Sequence, residues 1–129
     1  IARAMGGAVG RAESPELGWI EVEADDDALF RDAARPIWTF ASHFDEVKEL
    51  PPGFVCVARS QRCAIHALRH ETLPIWGVQA HPEIDPPTGE QLLVDFAELD
   101  ARVAGGTLDR PPRDSGWITA LVDAFLTAG

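Results

Sequence analysis

The sequence predicts a layered fold that combines a β-sheet with helices, of the α/β or α+β class. Several strand candidates follow one another between residues 8 and 81, separated by turn-forming segments. After Pro86-Pro87 the spacing of apolar residues changes from every second position to a helical period of about 3.6. Helices that cover a sheet bury the apolar surfaces of both, so these observations together predict a layered architecture.

The first half of the chain predicts a helix end followed by strands. Residues 1–5 are expected to form the last turns of a helix that Gly6-Gly7 closes, because glycine accepts the left-handed conformation of a C-cap. The acidic segment 25–34 predicts a short helix, and the Pro- and Gly-containing segment 45–53 predicts a loop. The strand candidates of this half are residues 8–12, 17–23 and 37–44.

The second half predicts a hairpin and a further strand. Residues 54–60 and 63–70 flank a turn at Ser60-Gln61-Arg62, a pattern typical of a β-hairpin. Residues 75–81 follow as an apolar run that predicts a buried strand. The hairpin and this strand complete the set of strands that the helices are expected to cover.

Two amphipathic helices are expected after the strands. The first covers residues 90–103, with Thr88 as its cap and Gly105-Gly106 at its end; the second covers residues 117–129. The apolar stripes are Leu92, Leu93, Phe96, Leu99 and Val103 in the first helix and Trp117, Ile118, Leu121, Val122 and Phe125 in the second.

Length, charge and cysteine content narrow the classes of function. The 129 residues suit one domain or part of one, and 11 basic against 21 acidic side chains give a net charge of −10. This excess argues against nucleic acid or an anionic membrane surface as partner. No apolar run approaches the roughly 20 residues of a membrane span. The two cysteines suit a reducing compartment, so a cytoplasmic location is expected.

The strongest chemical signal is His81-Pro82-Glu83, directly after the predicted buried strand. Pro82 biases His81 toward an extended conformation and so defines the direction in which the imidazole leaves the sheet. A carboxylate two residues later can hydrogen-bond the imidazole and stabilise its cation, which is what a general base needs. The alternative is an ordinary strand-end histidine in a turn.

No convincing nucleophile accompanies this base within the sequence. Cys56 and Cys63 lack the surroundings of a nucleophile elbow and are interpreted as packing residues. The serines at positions 14, 60 and 115 lie in turns, where serine is expected for backbone hydrogen bonding. His66 and His70 would lie about 13 Å apart on a strand, too far to bind one ion. No metal and no cofactor are therefore predicted.

Several segments in order resemble the class I glutamine amidotransferases. The most telling are residues 75–83 ("IWGVQAHPE"), preceded by "SHFDEV", "LPPGFVCVARS" and "AIHALRH". Residues 1–12 and "ELGW" at 16–19 match the segment that follows the family's nucleophile elbow. The pattern is most similar to free-standing members that resemble the glutamine domain of GMP synthetase.

The resemblance implies a Cys-His-Glu triad that hydrolyses the side-chain amide of glutamine through a thioester. His81 matches the base and Glu83 its orienting carboxylate. The segment Ser42, His43, Phe44 and Asp45 matches the loop that holds the substrate's α-carboxylate and amine, mainly through its backbone. The matching cysteine would lie about six residues before Ile1, so the 129-residue chain on its own is expected to be inactive.

The resemblance also implies a fold and partners. The fold is a mainly parallel, flavodoxin-like sheet flanked by helices, with an antiparallel extension, and residues 1–129 would be its C-terminal part without the N-terminal strands. Glutamine is the expected substrate, and the expected ammonia acceptor is a synthetase domain or subunit. An exposed sheet edge predicts a homo-oligomer or marginal stability. Two alternatives stay open: a non-catalytic binding domain, and a γ-glutamyl hydrolase.

Overall fold

A computed structural model describes residues 1–99 and 114–127. Within these ranges it contains strands, two α-helices and two short 3₁₀ helices. The strands are β1 (Ala8–Ala24), β2 (Ile37–Glu49), β3 (Phe54–Arg59), β4 (Ala67–His70) and β5 (Trp76–Val78). The helices are α1 (Pro86–Leu99) and α2 (Trp117–Thr127), and the 3₁₀ helices are Arg3–Met5 and Ala28–Phe30.

The strands form one sheet in the order β2-β1-β3-β4-β5, and every neighbouring pair is antiparallel. The expectation of a mainly parallel sheet is therefore wrong for the part of the chain described, where only the antiparallel component is seen. The β3–β4 and β4–β5 connections, residues 60–66 and 71–75, are too short for the crossover of about a dozen residues that parallel pairing needs. The layering of helices on a sheet and the β3–β4 hairpin are confirmed.

Strand β1 is one long strand where two short ones were expected, and it contains an irregularity. Arg11 pairs with Asp45 and Glu16 pairs with His43, so four residues of β1 lie opposite a single residue of β2. Pro15 lies in this stretch and cannot donate a backbone hydrogen bond, which suits a bulge. The pairing continues to Glu49 on β2, so most of the segment predicted as a loop is strand.

Helix α2 is attached through its first residue to the 3₁₀ turn Ala28–Phe30, which lies between β1 and β2. Trp117 is fully buried, stacks on Phe30 with ring centroids 4.9 Å apart, and donates from Nε1 to the Leu29 carbonyl at 3.2 Å. The helix expected at 25–34 is only the 3₁₀ turn Ala28–Phe30, whose N-cap Asp27 accepts from the Leu29 amide. The predicted apolar stripe of α2 is buried in part, since Phe125 remains 67% exposed.

Helix α1 begins four residues earlier than expected and is capped by a different residue. Asp85 Oδ1 accepts from the Thr88 amide at 2.9 Å, so Asp85 is the cap and Thr88 lies in the first turn. The starting residue Pro86 suits this position because its missing N–H is not needed there. Leu93 is buried, and Leu92 and Phe96 pack beside it. The side chain of Leu99 and the predicted positions Val103 and Gly105-Gly106 lie outside the described residues.

Two smaller expectations concern the ends of elements. Gly6 has φ 95° and accepts the left-handed conformation at the end of Arg3–Met5, which confirms the predicted glycine cap. Strand β5 is shorter than expected, with only Trp76–Val78 in the sheet, all half-buried. The chain then bends at Gln79 and Ala80 before His81 contacts the sheet again.

Candidate active site

The backbone of His81 is attached to the sheet at Phe40 of strand β2. The His81 amide donates to the Phe40 carbonyl at 2.8 Å, as an isolated antiparallel bridge. The Ile84 amide donates to the His81 carbonyl at 3.1 Å and closes the turn around Pro82. Because two hydrogen bonds and the proline restrict this turn, the imidazole leaves the sheet in a defined direction.

The imidazole and the carboxylate of this turn are in direct contact. His81 Nδ1 lies 2.7 Å from Glu83 Oε1, and the two side chains are 42% and 59% exposed. A carboxylate only accepts, so Nδ1 carries the hydrogen and Nε2 is left for chemistry in the neutral imidazole. Partial burial on its own would raise the pKa of the Glu83 carboxyl, but the hydrogen bond with His81 holds it below its ordinary value.

Two aromatic side chains support this turn from below. Trp19 and Phe40 meet edge to face, with ring centroids 5.2 Å apart, and both are buried. Gly89, in the first turn of α1, lies so close that a Cβ there would be 2.7 Å from Trp19 Cζ2 and 2.9 Å from Phe40 Cδ2. The start of α1 therefore rests directly on the residue whose carbonyl holds His81.

The predicted substrate-binding segment lies on the same strand as the His81 anchor. Ser42, His43, Phe44 and Asp45 belong to β2, so they are strand residues beside the β1 bulge and not a loop. Ser42 and Phe44 are half-buried, and Asp45 is exposed. They follow Phe40 by two to five positions, which brings the segment and His81 to the same part of the sheet.

The side chain of His43 is part of a buried polar cluster. His43 Nε2 lies 2.9 Å from Glu16 Oε2, and His66 Nε2 lies 3.2 Å from the same oxygen. Ser60 donates from Oγ to the other oxygen, Glu16 Oε1. The three titratable side chains are at most 5% exposed. We call Glu16, His43 and His66 the buried cluster.

The electrostatics of the buried cluster favour an ionised carboxylate. Desolvation would raise the pKa of Glu16, but the contacts of His43, His66 and Ser60 hold it well below its ordinary value. Sequence reasoning missed this cluster because it weighed His66 with His70, four positions apart. Glu16 and His43 are 27 positions apart, so only the β1–β2 pairing brings them together.

Neither cysteine is placed to act as a nucleophile. Cys63 is buried, and burial raises the pKa of its thiol to about 12. Cys56 is half-buried, with its Sγ 3.2 Å from the Ala58 carbonyl oxygen. Both are free thiols inside the β3–β4 hairpin region, in agreement with their interpretation as packing residues.

Residues 1–99 match the model of the family described as glutamine amidotransferase class-I. The chain belongs to this family. The resemblance identified from the segments around His81 is therefore confirmed. Within the described residues, no helix of this amidotransferase-family chain has the length and apolar character needed to cross a membrane.

Individual relatives agree with the family. A glutamine-hydrolyzing GMP synthase subunit of Thermococcus kodakarensis is 48% identical over 101 residues, which cover 77% of this chain and 54% of that protein. The chain thus spans about half the length of the curated relatives it matches.

Solved structures show the same fold. A GMP synthase subunit from Thermoplasma acidophilum has a TM-score of 0.62 at 28% identity, covering 80% of this chain and 53% of that one. A glutamine amidotransferase from Thermotoga maritima has a TM-score of 0.72 at 23% identity, covering 97% and 57%. At 23% identity, the Thermotoga maritima structure supports the fold of this chain and nothing further.

Proposed function

We propose that this amidotransferase-family chain carries the base and the orienting carboxylate of a glutaminase that hydrolyses the side-chain amide of glutamine. The observation that carries the proposal is the 2.7 Å contact between His81 Nδ1 and Glu83 Oε1 at a strand end. Both side chains are exposed enough to meet a substrate, and the contact leaves Nε2 of His81 for proton transfer.

In the first half of the reaction, His81 accepts the proton of the thiol, and the resulting thiolate attacks the side-chain carbonyl carbon of glutamine. The carbon–nitrogen bond breaks, the amide nitrogen takes a proton from His81 and leaves as ammonia, and a γ-glutamyl thioester remains. In the second half, His81 accepts a proton from water, which attacks the thioester and releases glutamate and the thiolate. Glu83 stabilises the imidazolium that forms in each half.

The substrate's amino-acid end is proposed to bind along residues 42–45. Strand β2 is at the edge of the sheet, and Phe44 lies opposite the β1 bulge without a partner in the register, so this segment keeps backbone groups outside the regular pairing. The α-carboxylate and amine of glutamine can therefore be held by the backbone of Ser42, Phe44 and Asp45. The His43 side chain is engaged in the buried cluster and is assigned no contact with the substrate.

The attacking thiol is proposed to come from a cysteine other than Cys56 and Cys63. A thiol with a pKa of about 12, such as that of Cys63, is almost entirely protonated at neutral pH. We therefore expect residues 1–129 on their own to release no glutamate from glutamine. Measuring glutamate release from this chain and from the full natural protein tests the point, and turnover by the short chain would contradict it.

The full protein is proposed to deliver ammonia to a synthetase partner. The Thermococcus kodakarensis relative is one subunit of a synthase, which supports a partner of this kind. The net charge of −10 favours a protein partner over nucleic acid or an anionic membrane. Both cysteines are free thiols, in keeping with a cytoplasmic location, and edge pairing of the sheet into a homo-oligomer stays a prediction.

One experiment separates this function from its alternatives. The full protein is assayed with glutamine and with γ-glutamyl peptides, in parallel with its His81→Asn variant. The proposed function requires ammonia and glutamate from glutamine, lost in the variant. Hydrolysis of the peptides with no action on glutamine would indicate a γ-glutamyl hydrolase, and no turnover of either would indicate a binding domain.

A further inference from the structure

We propose that Glu16, His43 and His66, the buried cluster, bind a divalent transition-metal ion, with Zn²⁺ as the first candidate. One carboxylate oxygen and two imidazole nitrogens lie within 4.8 Å of one another. The two distances to Glu16 Oε2 are 2.9 and 3.2 Å. Ligand atoms around a tetrahedral zinc ion with bonds of about 2.0–2.1 Å lie about 3.3 Å apart, so small shifts suffice.

The hydrogen bonding of His43 supports a cation between its ring and Glu16. His43 Nδ1 lies 3.0 Å from the backbone carbonyl of Asp45, and a carbonyl only accepts, so Nδ1 carries a hydrogen. In the neutral imidazole Nε2 is then a lone pair that faces a carboxylate oxygen at 2.9 Å. Two acceptors at this distance need a proton or a metal ion between them. A ring N–H bonded to a backbone carbonyl is also the usual support of a metal-binding histidine.

His66 provides a second, independent indication. It is 2% exposed, and its Nε2 lies 3.2 Å from Glu16 Oε2 without the alignment of a hydrogen bond, so this buried nitrogen has no hydrogen-bond partner among the described residues. Its backbone is fixed, because its amide donates to the Ala58 carbonyl and its carbonyl accepts from the Gln79 amide, both at 2.8 Å. A buried imidazole nitrogen that points to a carboxylate without a hydrogen bond suits a metal ligand.

The surroundings of Glu16 complete the site. Ser60 holds the second carboxylate oxygen, and Ser60 Oγ itself accepts from the Cys63 amide at 3.0 Å. Glu16 and Ser60 also line a cleft of about 540 Å³, which is the proposed route of entry for the ion. Imidazole and carboxylate ligands together suit Zn²⁺ and its neighbours better than Ca²⁺ or Mg²⁺, which prefer oxygen alone.

The position of the site predicts a structural role for the ion. Glu16 lies on β1, His43 on β2, and His66 in the connection between β3 and β4. An ion would connect β1, β2 and the β3–β4 connection, and β2 is also the strand that holds His81 through Phe40. No metal site was expected from the sequence, because His66 was considered only with His70. The sequence does not show that Glu16, His43 and His66 lie together in the fold.

The test uses the full natural protein without a histidine tag, stripped of metal and titrated with Zn²⁺ and with Co²⁺. We expect about one ion per chain, a rise in the midpoint of thermal unfolding with Zn²⁺, and the strong visible absorption of tetrahedral Co²⁺. The variant His66→Gln is expected to bind Zn²⁺ at least about 100-fold more weakly. His70→Gln changes a histidine outside the cluster and serves as the matched control with unchanged affinity.

Three results would overturn the proposal. The first is a wild-type protein that binds no Zn²⁺, which would leave a proton between His43 and Glu16. The second is equal affinity in the wild type and His66→Gln, both folded by circular dichroism. The third is Zn²⁺ binding that His81→Ala removes and His66→Gln retains, which would place the ion at the proposed catalytic residues. The wild-type Co²⁺ spectrum keeps the test decisive even where His66→Gln fails to fold.

Discussion

The His81–Glu83 pair and the buried cluster use the same two chemical groups in opposite environments. The imidazole–carboxylate contacts are 2.7 Å in the first and 2.9 Å in the second. The side chains of the first pair are 42% and 59% exposed, whereas those of Glu16 and His43 are 3% and 5% exposed. An exposed pair can exchange protons with a substrate, while a buried pair must be satisfied within the protein. Exposure therefore separates a pair suited to catalysis from one suited to structure.

The largest effect is expected from His81→Asn in the full protein. Loss of a general acid–base lowers kcat by about 1,000-fold, because proton transfers in both halves of the proposed reaction depend on it. The fold should persist, since the side chain is exposed and its backbone bond to Phe40 is kept. Steady-state glutamate release and circular dichroism measure the two effects. Unchanged kcat in a folded variant would remove His81 from the reaction.

The buried pair is expected to respond in the opposite way, with a loss of stability. Glu16→Gln replaces the ionised carboxylate that faces two buried imidazoles with a neutral amide, and loss of hydrogen bonds to a charged group costs about 1.5–3 kcal/mol. Glu13→Gln, at an exposed position of the same strand, is the matched control. Urea unfolding in the presence of a chelator gives the free energies. Equal stability of the two variants would mean that the contact with His43 contributes little.

Gly89→Ala tests whether the packing of α1 on Trp19 and Phe40 positions His81. The new methyl group would meet Trp19 and Phe40 at 2.7–2.9 Å, and both rings are buried, so we expect a loss of about 1–3 kcal/mol. Because Phe40 holds His81, kcat should fall together with stability. Gly10→Ala, where the nearest atom is Lys48 Cγ at 3.5 Å, is the control. If kcat stays constant while stability falls, the aromatic support has no part in positioning His81.

The smallest effect is expected from the acid titration of Glu83. A carboxyl whose pKa is lowered by folding stabilises the folded state above its unfolded pKa, and this contribution is lost as the pH falls through the folded value. The difference in thermal midpoint between the wild type and Glu83→Gln should therefore be present near neutral pH and disappear in acid. The exposure of Glu83 keeps this difference small. A difference in thermal midpoint that grows as the pH falls would contradict this prediction.

The His81–Glu83 pair and the buried cluster also differ in how far each could be predicted from the sequence. The contact of His81 with Glu83 is local, since the residues are two positions apart around a proline. The structure contains the hydrogen bond that the sequence predicted between their side chains. Its catalytic role stays a prediction. The buried cluster depends on strand pairing across 27 positions, which no local pattern reveals.

The wrong predictions of helix and strand boundaries have similar causes. Asp85 and Thr88 are both good caps, and only the start of α1 at Pro86 decides between them. The segment 45–53 was expected to be a loop because of its Pro and Gly residues, but pairing with residues 8–11 makes positions 45–49 strand. In both cases tertiary context outweighs local propensity.

Strand β2 has a consequence for the tolerance of this chain to insertions and deletions. The side chains of Phe40 and His43 lie on opposite faces of the strand; the Phe40 carbonyl accepts from the His81 amide, and the His43 side chain lies in the buried cluster. A single-residue deletion between them would turn one side chain to the wrong face and shift the carbonyl that receives the His81 amide. Length variation among natural relatives should therefore be confined to the turns, while the interval from Phe40 to His43 stays constant.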